Sequence, residues 1–150
     1  MKTISIPIRF GLVTSAVLVA YFLILALFDK HTNIGFSFFN VVITLFGIYE
    51  AIRLKKLEDY KSFSYGEGFK TGIITGFVAT LLFTVFFLFY TTEIAPDFLT
   101  RLLEKIGGVF KIDIGLITFI VAVMGLTTTV VSTFTVMQLL KKDRNDIQNQ

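Results

Sequence analysis

Four long apolar blocks constrain this chain more than any other feature of its sequence: Phe10–Phe28, Ile34–Ile52, Gly72–Tyr90 and Ile114–Leu140. They are 19, 19, 19 and 27 residues long and take up 84 of the 150 residues, so the remainder cannot supply a separate soluble core. A helix of about 20 apolar residues crosses the roughly 30 Å hydrocarbon layer of a bilayer. Three blocks match that length and the fourth exceeds it. The sequence therefore predicts an all-α membrane protein: one domain over residues 1–150, four transmembrane helices in an up-down bundle. A transmembrane barrel is excluded, because it needs alternating segments of about 10 residues, whereas these runs are nearly continuous. Helices satisfy the bilayer because they close their backbone hydrogen bonds internally.

Met1–Arg9 followed by an apolar run has the outline of a signal peptide. The run is longer than the usual core of about 7–15 residues and has no small-residue cleavage pattern after Phe28, so a retained first span is expected. Lysine and arginine set the orientation. The N-terminal segment (Lys2, Arg9), the middle loop (Arg53, Lys55, Lys56, Lys61, Lys70) and the C-terminal tail (Lys141, Lys142, Arg144) hold 10 of them, against 4 at Lys30, Arg101, Lys105 and Lys111. Both termini are expected in the cytoplasm of a bacterial inner membrane. The net charge of +3 belongs to these membrane borders, so nucleic acid is not expected as a partner and the lipid bilayer is.

Small and hydrogen-bonding residues mark the expected helix contacts, since lipid offers no hydrophobic drive for packing one span on another. Span two carries Asn40, Thr44, Gly47 and Ala51 on one face. Span three carries Gly68, Gly72 and Gly76, continued by Thr80 and Thr84. Span four carries Gly115, Thr118, Ala122, Gly125, Thr129 and Ser132 at alternating spacings of 3 and 4. Ser64 with Glu67 three residues on forms a capping-box pattern before span three. In the third loop, Pro96 suits a first helical turn. Phe98, Leu99, Leu102, Leu103 and Ile106 form a stripe opposite Asp97, Arg101, Glu104 and Lys105, and Gly107-Gly108 ends it. The expected element is a short amphipathic interfacial helix between spans three and four, serving as a connector or as a lipid or partner contact. Aligning Gly11 with Gly72 also pairs Thr14 with Thr75 and Phe22 with Phe83, a faint internal repeat.

Chemistry is sparse. With no cysteine there is no disulfide, thiolate metal site or thiol nucleophile. His31 beside Asp29 lacks the three or four converging ligands of a metal site. Gly66-Glu67-Gly68 lacks the strand and βαβ setting of a nucleotide fingerprint. The span-four hydroxyls (Thr127 to Thr135) have no positioned base. No cofactor and no enzymatic activity are expected. Glu50 is the sole carboxylate inside a block, as a functional group or as an interfacial partner of Arg53 three residues on.

The runs Gly47-Ile48-Tyr49-Glu50-Ala51-Ile52-Arg53 and Phe63-Ser64-Tyr65-Gly66-Glu67-Gly68-Phe69-Lys70-Thr71-Gly72 resemble the core of the domain-of-unknown-function family 4199. The resemblance implies a small four-span bacterial inner-membrane protein with a cytoplasmic S-[FY]-G-[EK]-x-[FL] stretch leading into the third span. It also implies a variable outer loop before the last span, and no assigned activity. Here that loop is short, and Gly68 stands where a small residue such as alanine is common. Two functional readings stand side by side. One is a non-enzymatic accessory or oligomerising subunit that contacts copies of itself or another membrane protein through its small-residue seams. The other is a small transporter or channel with Glu50, Asn40 and Thr44 lining a polar path.

Overall fold

The computed structural model describes residues 4–30, 33–106 and 112–148, with no strand among them. The elements are α1 (Ile6–Leu27), α2 (Ile34–Glu58), α3 (Tyr65–Phe89), a π-helical turn (Tyr90–Ile94), α4 (Phe98–Ile106) and α5 (Ile114–Gln148). Four of these helices are long and apolar enough to cross a membrane, and the protein is a multi-pass membrane protein. His31, Lys2, Lys111 and the Gly107-Gly108 stop lie outside the described residues.

Local chemistry sets the helix ends. Pro7 occupies the first turn of α1, where a missing N–H costs nothing. At its other end Asp29 adopts a left-handed backbone (φ 54°). Its N–H donates to the Ala26 carbonyl at 3.1 Å and the Lys30 N–H to the Leu25 carbonyl at 2.9 Å. That is the Schellman closure, here with aspartate in the position glycine usually fills. Asn33 Oδ1 accepts from the Gly35 N–H at 2.9 Å and starts α2. Ser64 Oγ accepts from the Glu67 N–H at 3.2 Å and starts α3, so the predicted cap is made from the serine side.

The helices extend beyond the apolar blocks. α2 continues to Glu58, and Lys55 pairs with Asp59 one turn on. α3 begins seven residues before Gly72, at Tyr65, and runs through Phe89 into the π turn, of which the sequence reading placed only Tyr90 in span three. The Ala95 N–H closes that turn on the Tyr90 carbonyl at 2.9 Å. Pro96 and Asp97 stand ahead of α4 rather than within it. The apolar stripe of α4 turns toward the bundle. Phe98 is buried and Leu99 and Leu102 pack inward, while Arg101, Glu104 and Lys105 are exposed.

α3 packs against α1, α2 and α5, and α2 also touches α1 and α5. Glycines bring these backbones close. A Cβ at Gly68 would lie 2.7 Å from the Met137 sulfur, and one at Gly72 2.6 Å from the Thr133 methyl. At Gly76 it would run into Thr129. Further along the roles swap, and Thr80 of α3 fills the space at Gly125 of α5, 2.5 Å from where a Cβ would stand. Every four-residue step along α3 is thus matched by a four-residue step back along α5. On the other side, Gly11 admits Val78 and Gly47 admits Thr14.

Gly115 does not belong to this seam. It is exposed, and among the described residues a Cβ there would meet only Asp113 Oδ1 at 3.3 Å. The packed face at that level is Ile117. A strict 3–4 repeat averages 3.5 residues per turn and drifts by about 20° per heptad on a straight helix. Two heptads from Thr129 therefore carry the small-residue line off the contact face. Ala122 is half-buried on the same departing line.

Two apolar clusters anchor the two ends. One joins Ile48 and Ile52 of α2 to Val136, Met137 and Leu140 of α5, with Phe63 packed against it. The other joins Phe22, Phe87, Tyr90, Phe98 and Ile117. Phe22 is its hub, with ring centroids at 5.0 Å from Tyr90 and 6.0 Å from Phe86 and Phe87, all edge-on.

Candidate functional site

Beside the Phe22 cluster, α2 and α5 leave a cleft of about 230 Å³. Its deep wall is Leu18 and Phe22 of α1 with Thr80 and Phe87 of α3, all less than a tenth exposed. Phe98 and Leu102 of α4 close one end. The lips are Ser37 and Val41 on α2 and Met124 on α5, exposed residues on the flanks of two apolar spans. The mouth therefore opens sideways, toward the surface that four such spans present to lipid.

The cleft is mostly apolar, with a polar patch at the level where α3 and α5 close upon each other. Asn40 and Thr44 of α2, Thr80 of α3 and Thr128 of α5 contribute it. Asn40 Oδ1 is buried without a hydrogen-bond partner. Thr84 Oγ1 and Thr133 Oγ1, outside the cleft, are likewise buried and unpartnered, whereas several helical threonines bond back to their own helix: Thr75 to the Thr71 carbonyl at 2.8 Å, Thr118 to Ile114 at 2.8 Å, Thr129 to Gly125 at 2.9 Å. Thr44, Thr80 and Thr128 are not among the described residues that do so. Tyr21 also lines the cleft, but its hydroxyl is committed to the Phe36 carbonyl at 2.8 Å. Among the described residues no charged side chain lines it.

The polar residues predicted as functional do not converge here. Glu50 accepts from Arg53 at 3.3 Å, as an exposed pair one turn apart. It stands among the residues of the Ile48–Ile52 cluster rather than at the cleft. Such a pair contributes at most about 1 kcal/mol. Ser64 and Glu67 are exposed and act as a helix cap. Asn40 and Thr44 do line the cleft, yet the fully buried Ile48 and Ile52 stand between them and the charged end of α2. The polar path from Asn40 to Glu50 is therefore interrupted, and the cleft is blind at that end. Gly68, Gly72 and Gly76 are consumed by Met137, Thr133 and Thr129 of the same chain, so that seam is not a free surface. Gly125 of the predicted α5 seam also lines the cleft.

What the sequence reading missed is the cleft itself and the aromatic hub above it. Of the residues paired in the faint repeat, Gly11, Thr14, Phe22, Gly72 and Thr75 are buried and Phe83 packs against the hub. Outside the cleft, Arg101 of α4 reaches Asp29 at 3.2 Å and ties the short helix to the end of α1. Among the described residues no three His, Cys, Asp or Glu side chains gather as a metal site would require.

Neither a curated protein nor a solved structure matches the chain. A protein-family model does match, over residues 9–110, which takes in α1 to α4 and therefore three of the four spans and most of the cleft. With two thirds of its length covered, the chain belongs to the family described as protein of unknown function DUF4199.

Proposed function

We propose that this is a non-enzymatic protein of the bacterial inner membrane that holds an apolar, membrane-borne small molecule in the cleft between α2 and α5. In this reading the four spans alternate as an up-down four-helix bundle with both termini cytoplasmic, and α4 lies at the outer interface above the cleft. The carrying observation is a laterally open, apolar cleft with an unpartnered buried amide oxygen at Asn40. Concave, largely apolar sites with a few convergent polar groups are where small molecules bind. An accessory role beside a second copy or another membrane protein fits the same geometry through the exposed lips of α2 and α5. It no longer draws support from the glycine seam, which α5 of the same chain fills.

Native mass spectrometry of the protein released from mild detergent tests the reading. A lipophilic adduct of one molecule per chain is expected on the wild type and absent from Val121→Phe, which fills the cleft from its α5 wall. Equal adducts on both proteins, or none on either, would remove the proposal.

A further inference from the structure

The polarity of the cleft runs the wrong way for an ordinary lipid chain. Thr44 lies ten residues from the start of α2 and Thr80 ten from Tyr90. At 1.5 Å per residue each is about 15 Å from that point, near the bilayer midplane, while Asn40, six residues into α2, lies about 9 Å deep, so the patch runs from the outer half of the cleft to the midplane. The end beneath α4 is instead aromatic, with Phe22, Phe83, Phe87 and Phe98. An acyl chain anchored by its headgroup would place its most apolar part on the polar patch. A ligand that suits the cleft has the opposite arrangement, with a polar function directed to the midplane and flat apolar surface against the phenylalanines.

Three features narrow the ligand further. The cleft holds about 230 Å³, and a cavity of about 150 Å³ accommodates one benzene ring, so the space suits a compact ring system of about two rings. Aromatic walls favour edge-on and offset contact with another ring. The patch offers threonine hydroxyls and a carboxamide, groups able to donate hydrogen bonds, while among the described residues no charged side chain lines the cleft to neutralise an ion. Resting on the cleft-binding reading above, we infer that the ligand is a neutral ring lipophile bearing carbonyl oxygens, of the quinone class. Its carbonyl accepts from the Thr44 hydroxyl and from the Asn40 side-chain Nδ2, since Asn40 Oδ1 is itself an acceptor, and any aliphatic tail leaves between Val41 and Met124 into the lipid.

The test measures binding of three probes to the full chain in lipid nanodiscs: 1,4-naphthoquinone, naphthalene and 1-decanol. Naphthoquinone should bind at least tenfold more tightly than naphthalene. Asn40→Leu and Thr44→Val should each erase most of that preference while leaving naphthalene affinity within about twofold. Val121→Phe should remove both ring probes. Decanol binding more tightly than either ring, and lost in Val121→Phe, would overturn the ring assignment and leave the cleft reading intact. Naphthoquinone affinity unchanged in both polar variants would likewise overturn it. Absence of Val121→Phe-sensitive binding for all three probes would overturn both.

Discussion

Gly76→Leu is expected to lower the thermal unfolding midpoint of the detergent-solubilised protein by roughly 10 °C. The position faces Thr129 across the α3–α5 contact so closely that even a methyl group has no room. Thr129 cannot simply swing aside, since its hydroxyl is bonded to the Gly125 carbonyl at 2.9 Å. A leucine must part the two backbones, at a cost near the upper end of the roughly 1–3 kcal/mol typical of overpacking. For a chain of this size each kcal/mol shifts the midpoint by about 2–4 °C. Leu81→Ala, on the exposed side of the same helix, should move it by less than about 2 °C. The paired change Gly76→Ala with Thr129→Ala should recover most of what Gly76→Ala alone loses, because the smaller partner vacates the space. Equal shifts for Gly76→Leu and Leu81→Ala would mean that this face is not a packing seam.

Phe22→Ala is expected to be comparably damaging through the opposite fault. The ring is 7% exposed and meets Phe83, Phe86, Phe87 and Tyr90 edge-on. Truncating a buried phenylalanine costs about 3–5 kcal/mol in water-soluble cores. The lower end applies here, because the alternative solvent is lipid and packing rather than water exclusion is lost. Phe22 also lines the cleft. The same substitution should therefore enlarge it, and a bulkier ring probe excluded from the wild type should bind Phe22→Ala. Thermal unfolding and probe binding on one preparation read out both effects.

The four apolar blocks, the Ser64 cap, the apolar stripe of α4 and the glycine face of α3 were all legible in the sequence, and for one reason. Each is written in a contrast that the bilayer preserves: apolar against charged, small against large, or hydroxyl before a helix start. Phe22 was not legible because it stands among Tyr21, Leu23 and Ile24, of which Leu23 and Ile24 are exposed. In water a helix must turn its apolar side inward, and the pattern betrays the core. In lipid the outward residues are equally apolar, so periodicity no longer separates the hub from its neighbours. The cleft was hidden for a related reason. Asn40 and Thr44 were recognised as one polar face, but whether such a face is covered depends on where α5 diverges. Gly115 was misassigned because the spacing of small residues outlasts the contact that it serves.

The central claim is that the cleft opens to the hydrocarbon between α2 and α5. The chain contains no cysteine, so a single introduced thiol can carry a nitroxide label without background. Met124→Cys, at the lip on α5, is the position to label, with the protein reconstituted in liposomes. Power-saturation spectra should show high accessibility to dissolved oxygen and low accessibility to a water-soluble nickel chelate, and naphthoquinone should reduce the oxygen accessibility. High accessibility to the nickel chelate would place the mouth in water and contradict the account.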